Sequence, residues 1–186
     1  MINFNLTTER LVLRLFVKED IDDLYDYLSD AEVLAFEPYD AVSYERCKEE
    51  LESRVHDKRF LAVMLKESDK VIGNLYINQI EPEFIHTFEI GYVFNRKFHG
   101  NGYATEAVTG LLEHLFRVEE AHRVIAFCNA LNEPSWQLLE RIRMRREAHR
   151  VKNMYFKKDE SGSPIWFDSF QYAILGAEWE KKTVSP

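Results

Sequence analysis

The chain has 186 residues, of which 46% are hydrophobic, 13% aromatic and 30% charged, and a net charge of −8 at pH 7. That composition describes a folded globular chain, not a disordered one, and the length suffices for a sizeable core. No apolar run approaches the roughly 20 residues of a membrane span, and 24 basic against 32 acidic residues disfavour general nucleic-acid binding. The opening Met1 to Leu6 lacks the charged, apolar, then small-residue order of a secretory leader, and Cys47 and Cys128 form no CxxC. The expectation is one continuous domain, residues 1–186, in the cytosol, without a disulfide framework or a metal.

In chain order, Leu11, Leu13 and Leu15 alternate with Val12, Arg14 and Phe16 and predict a strand near 9–16. Ile21, Leu24, Tyr25 and Leu28 have helical spacing, and the charged segment 43–57 also reads as helix. Phe60 to Lys66 and Val71 to Ile80 read as a hairpin around Glu67–Lys70. Phe84 to Phe94 reads as a strand with Phe84, Phe88, Ile90, Tyr92 and Phe94 on one face. Ala104, Ala107, Val108, Leu111, Leu112, Leu115 and Phe116 form the stripe of a helix packed on a sheet. A strand follows at Arg123 to Cys128, then a helix capped by Asn132 with Pro134 in its first turn. Two strands, 144–156 and 165–175, flank a turn at 159–164. Strands and helices so mixed predict an α/β or α+β domain with a mostly antiparallel sheet.

Glycine is scarce: 7 residues in all, about half the usual share of roughly 7 per cent. Four of them are Gly91, Gly100, Gly102 and Gly110. Arg96 to Thr105 therefore reads as a loop of backbone N–H groups entering a helix N-terminus, a place that favours an anion, with Arg96, Lys97 and His99 adding positive charge. The alternative is a strand-to-helix turn that merely needs glycine geometry. A Walker loop fails because no lysine follows either glycine, and a dinucleotide fingerprint fails at Thr105.

Thr8-Glu9-Arg10-Leu11-Val12-Leu13-Arg14, Glu89-Ile90-Gly91-Tyr92, Gly100 through Ala107 and Asn132 through Arg141, in this order and at these separations, resemble the GCN5-related N-acetyltransferase (GNAT) superfamily, in the branch that includes the ribosomal-protein N-terminal acetyltransferases. The resemblance implies a mixed, mostly antiparallel sheet splayed around acetyl-CoA, with helices on both faces. It implies an N-acetyltransferase, an acyltransferase moving acetyl from acetyl-CoA to a primary amine, either a protein N-terminus or a small amine. It further implies that the backbone at Tyr92, Val93 and Phe94 holds the pantetheine arm. Lys97, Phe98, His99, Gly100, Asn101, Gly102, Tyr103, Ala104 and Thr105 would hold the pyrophosphate, and Asn132 and Ser135 would reach the sulfur region. Glu89 is the implied base, with an N–H near Val93 as oxyanion donor; a half-exposed structural carboxylate is the alternative for Glu89.

Three departures from the family pattern stand out. Lys97 replaces an arginine or glutamine and keeps the charge without the planar fork. Leu139 occupies the place of the tyrosine that protonates the leaving thiolate, leaving Ser135, a water or the substrate to do so. Arg143 replaces a glycine, and because a left-handed residue there costs a non-glycine roughly 1 kcal/mol or more, a reshaped turn is expected.

The remaining features have plain readings. Arg141 to Lys152 reads as a charged strand face or a site for nucleic acid or the 3′-phosphate of CoA. The acidic run Glu19 to Glu32 reads as solvated surface; the resemblance, which sets the first two helices beside the acceptor site, implies the alternative that part of it attracts a cationic amine. Gly110 merely rides its helix, Cys128 is packing, and Tyr39, Tyr76 and Trp166 are candidates to line an acceptor pocket. A homodimer is compatible with the resemblance. The rival function is a non-catalytic acyl-CoA-binding or sensory module.

Overall fold

The computed structural model describes residues 5–183, with side chains to 180. Met1 to Phe4, read above for a leader pattern, lie outside the described residues. Eight strands form one sheet: β1 (Asn5–Thr7), β2 (Leu11–Leu15), β3 (Phe60–Leu65), β4 (Val71–Gln79), β5 (Thr87–Phe94), β6 (Arg123–Asn129), β7 (Arg145–Lys158) and β8 (Pro164–Leu175), in the order β1-β2-β3-β4-β5-β6-β8-β7. Every neighbouring pair is antiparallel except β5 and β6.

The helices cover both faces. α1 (Ile21–Leu28) and α2 (Tyr44–His56) lie on one, where Leu24, Leu28, Cys47 and Leu51 pack with Ala62 and Val93. α3 (Tyr103–Arg117) and α4 (Glu133–Arg141) lie on the other, where Val108, Leu111, Leu112, Leu138 and Leu139 pack with Phe88, Ile90 and Phe94. α5 (Gly176–Thr183), which carries no clear sequence signal, joins this second layer through Trp179 against Phe116.

The expected elements are present with shifted ends, and β1 is additional. Phe84 is not in β5: it sits in a short 3₁₀ turn, Glu83–Ile85, and is 79% exposed, because the chain after Pro82 turns before it pairs. The Arg143 turn is not reshaped. Arg143 takes φ 68°, its N–H donates to Glu140 O and that of Met144 to Leu139 O. These are the two hydrogen bonds of a Schellman helix end, kept by an arginine where glycine is the favoured residue. Gly110 does more than ride α3. A Cβ there would lie 2.7 Å from Thr8 Cγ2, so its absence lets the β1–β2 turn rest on the helix.

Candidate active site

β5 and β6 pair only from Thr87–Arg123 to Ile90–Ala126. Beyond that, β5 stays on β4 to Phe94 while β6 stays on β8 to Asn129, so the sheet opens between them. A cleft of about 1780 Å³ runs through this opening. It is lined by Glu89 to Phe94, Phe98, His99, Gly100, Gly102 to Thr105, Phe127 to Asn129, Asn132 and Ser135.

The backbone groups that face the opening follow from strand alternation. Ile80 N–H donates to Thr87 O and Asn95 N–H donates to Ile72 O. Odd-numbered residues of β5 therefore direct N–H and C=O to β4, and Ile90, Tyr92 and Phe94 direct theirs to the β6 side. Val93 spends its groups on Asn74, its partner in β4. The Val93 N–H therefore faces β4, and the N–H groups near it that face the opening are those of Tyr92 and Phe94, the even-numbered residues beyond the last β6 pair.

The glycine loop closes one end. Asn95 caps a 3₁₀ turn, Arg96–Phe98, by accepting Lys97 N–H, and Gly100 and Gly102 take φ 78° and 79°, which L side chains rarely adopt. Nothing lies within 4 Å of a Cβ built on Gly100, so a ligand can approach the backbone there. The His99 Nε2–H tautomer donates to Phe94 O at 3.0 Å and ties the loop to the end of β5. Arg10 braces it from outside: Nη1 donates to Asn101 O (3.1 Å), and Nε donates to Glu106 Oε2 (2.7 Å) in the first turn of α3. Sequence patterning gave no hint of this role for Arg10, since its partners lie about 90 residues away.

Two expected loop contacts are corrected. Lys97 does not line the cleft; its ammonium pairs with Asp26 on α1. Against the upward push of burial, Lys97 and Asn95 hold the Asp26 carboxyl below its ordinary value. Asn101 also stays out of the lining, because its amide donates to Phe98 O and His99 O and so folds the loop on itself. The acidic run is correspondingly more than solvated surface. Asp20 pairs with Arg14, Asp23 with Lys70, and Asp30 and Glu32 with Arg96.

Across the opening, Asn132 Oδ1 accepts Ser135 N–H as a helix cap (3.3 Å). The Tyr92 hydroxyl donates to Ser135 O (3.0 Å) and lies 2.9 Å from Ser135 Oγ. Burial raises the Tyr92 phenol above its ordinary range. This hydroxyl was not expected from sequence, because Tyr92 shares a strand face with Phe88 and Ile90 and reads there as core. Leu139 is 1% exposed and packs in the core, out of reach of the cleft. Burial pushes the Cys128 thiol up to about 11, so at neutral pH it is no thiolate nucleophile.

On the α1 and α2 face the cleft is walled by Phe36, Glu37, Tyr39, Tyr76, Glu89 and Phe127. Glu89 is half-buried, and burial raises its carboxyl above the ordinary value. Trp166 is not a wall: it packs edge-on against Tyr155 on the outer hairpin, 50% exposed. Most of the Arg141–Lys152 cluster is engaged. Arg145 pairs with Glu147 and Glu178, and Arg146 pairs with Glu140 and lies over the Phe170 ring. Arg141 and Arg150 reach the cleft, Arg141 donating to Thr105 Oγ1 at 3.2 Å. Among the described residues no His, Cys, Asp and Glu group is arranged to hold a metal ion, and no helix is long and apolar enough to cross a membrane.

A family model for the acetyltransferase (GNAT) domain matches residues 10–145. The chain belongs to the GNAT family of acetyltransferases. It is 35% identical over 176 residues to YnaD, an uncharacterized N-acetyltransferase of Bacillus subtilis (strain 168), covering 94% of this chain and 99% of the relative. It is 24% identical over 185 residues, 94% and 92% of the two chains, to the [ribosomal protein uS5]-alanine N-acetyltransferase of Escherichia coli (strain K12). Among solved structures, a GNAT acetyltransferase from Bacillus anthracis superposes with a TM-score of 0.84 at 31% identity, covering 94% of this chain and 99% of the other.

Proposed function

We propose that the chain is a cytosolic, single-domain N-acetyltransferase that moves acetyl directly from acetyl-CoA to a primary amine bound in the same cleft, a protein N-terminus or a small amine. The observation that carries this reading is the parting of β5 from β6 at Ile90 and Ala126, beside the glycine loop. The residues fit acetyl-CoA: the Tyr92 N–H and C=O and the Phe94 N–H, which face the opening, suit an extended amide-bearing arm, and the open space over Gly100 at a helix entrance suits a pyrophosphate. When bound, acetyl-CoA supplies the activated acetyl thioester.

The chain supplies the rest. Phe98 to Gly100 and Gly102 to Thr105 would hold the phosphates, and Asn132 and Ser135 would border the sulfur end. Glu89, with its carboxyl raised by burial, accepts the amine proton directly or through water. A β5 N–H facing the opening donates to the oxygen that gains charge. The Tyr92–Ser135 hydroxyl pair offers a proton to the departing sulfur in place of the missing tyrosine. The inert Cys128 thiol supports direct transfer without an acetyl-enzyme.

The test is release of free CoA from acetyl-CoA across a panel of peptides and small amines. Transfer to at least one class is expected, with Glu89→Gln lowering kcat by roughly a hundredfold or more. An unchanged rate and pH profile in Glu89→Gln would remove it as base, and activity on small amines alone would exclude the N-terminal acceptor.

A further inference from the structure

We propose that Glu37, on the loop between α1 and α2, reads a second positive charge on the acceptor, so that the preferred substrate is an amine carrying another cation beyond the nitrogen that is acetylated. The inference rests on the acetyltransferase reading and assigns part of the same cleft.

Glu37 and Glu89 enter the cleft from different elements, Glu37 from the loop and Glu89 from β5. Among the described residues neither carboxylate has a hydrogen-bond or ion-pair partner, which sets them apart from Glu32 and Glu106 in the same cleft, both of which are paired. The same wall of the cleft carries Phe36, Tyr39 and Tyr76, aromatic rings of the kind that attract a cation as well as an apolar stem.

The groups that act on Glu37 are few. Burial pushes its carboxyl up to about 7, and Arg54 on α2 pulls the other way. The Arg54 guanidinium donates to Asn74 Oδ1 at 2.9 Å, lies over the rings of Phe16 and Phe60 and interacts with the Tyr39 hydroxyl, while its buried Nε keeps no hydrogen-bond partner. Burial raises the phenols of Tyr39 on the same loop and Tyr92 on β5, and Glu37 adds to both in the same direction. A half-buried carboxylate in this state ionises when a cation arrives and releases a proton as it does so. With Glu89 serving the reacting nitrogen, Glu37 is left for a charge farther along the acceptor.

The acceptor chemistry has two sources, a small diamine or a peptide whose N-terminus is followed by a basic residue, and matched probes separate them. Butylamine is compared with 1,4-diaminobutane, and a short peptide with Gln at its second position with the same peptide bearing Lys. The expected result is a preference of at least tenfold for the doubly charged member of one pair, lodged in KM. The preference grows as pH rises through about 7. Glu37→Gln is expected to abolish both the preference and its pH limb, leaving kcat within about threefold and KM for acetyl-CoA unchanged. Glu89→Gln instead lowers kcat and keeps the preference. Calorimetry of the preferred amine binding to the CoA complex, in two buffers of different ionisation heat, reads greater proton release in the wild type than in Glu37→Gln. Equal use of both members of each pair, or a preference that survives in Glu37→Gln, overturns the assignment while acetyl transfer stands. Absence of transfer to every amine overturns the acetyltransferase reading itself, and the wild type alone reports it.

Discussion

Arg143 shows what a single side chain costs. It holds φ 68° at the end of α4 with both Schellman hydrogen bonds intact, a conformation that costs an L-residue roughly 1–2 kcal/mol. Arg143→Gly removes the Cβ that causes the strain but adds freedom to the unfolded chain. The net expectation is a gain of about 0.5–1 kcal/mol, read as a rise in urea midpoint at constant m-value, with acetyl transfer unchanged. The position was legible in the sequence because one helix cap, Asn132, fixed the start of α4 and the family pattern fixed its end; what the chain did there was not, since hydrogen bonds held the old turn. Glu37 was illegible for a different reason. The segment 29–43 has no periodicity, so nothing in it says that one of its carboxylates lines the cleft. The Tyr92 hydroxyl was hidden by alternation, which reports the face a ring points to and not where its oxygen ends.

At the scale of elements, the apolar stripe of α3 and the alternation in β2 through β6 specify the frame, because periodicity reports burial. The links between elements depend on charges distant in sequence. Arg10, Thr8 and Glu106 illustrate this: Thr8 Oγ1 donates to Glu106 Oε1 (2.6 Å), as does Arg10 N–H (2.7 Å), fastening the β1–β2 turn to α3. Against burial, these donors hold the Glu106 carboxyl below its ordinary value. Because Arg10 also grips Asn101 O, the turn shapes the glycine loop from behind. Arg10→Ala is expected to weaken acetyl-CoA binding by roughly five- to tenfold, about a kcal/mol-scale change in binding, with the KM for amine unaffected. Calorimetric titration with acetyl-CoA measures it, and unaltered affinity would show the loop to be rigid without its brace.

At the scale of the molecule, a sheet that carries strands from both ends of the sequence is divided at one parallel pair. The N-terminal part, with α1 and α2, supplies Glu37, Tyr39 and Glu89; the C-terminal part supplies Asn132 and Ser135 through α4. A ligand lodged between the two parts binds only the folded chain. At a hundred times its dissociation constant it adds about 2.7 kcal/mol of stability, the logarithmic gain of mass action. For a chain of this size that is roughly 5–10 °C in Tm. A thermal melt with and without acetyl-CoA checks this, and a shift under 1 °C at saturation would contradict binding in the cleft.

The parting of β5 from β6 also bears on how the protein keeps to itself. Unpaired strand edges ordinarily recruit neighbouring chains into aggregates. Here two such edges exist by design of the pairing, yet they face each other inside a walled cleft, where Tyr92 and Ser135 already bridge the gap. Another protein's strand, flanked by its own sheet, is too bulky to enter, whereas a single slender chain of atoms fits. The outermost strand guards itself differently, by breaks in register at Arg146, Arg150 and Tyr155 and by a row of lysines and arginines. The fold thus carries these two unpaired edges on the inside, where a slender ligand can reach them and the edge of another sheet cannot.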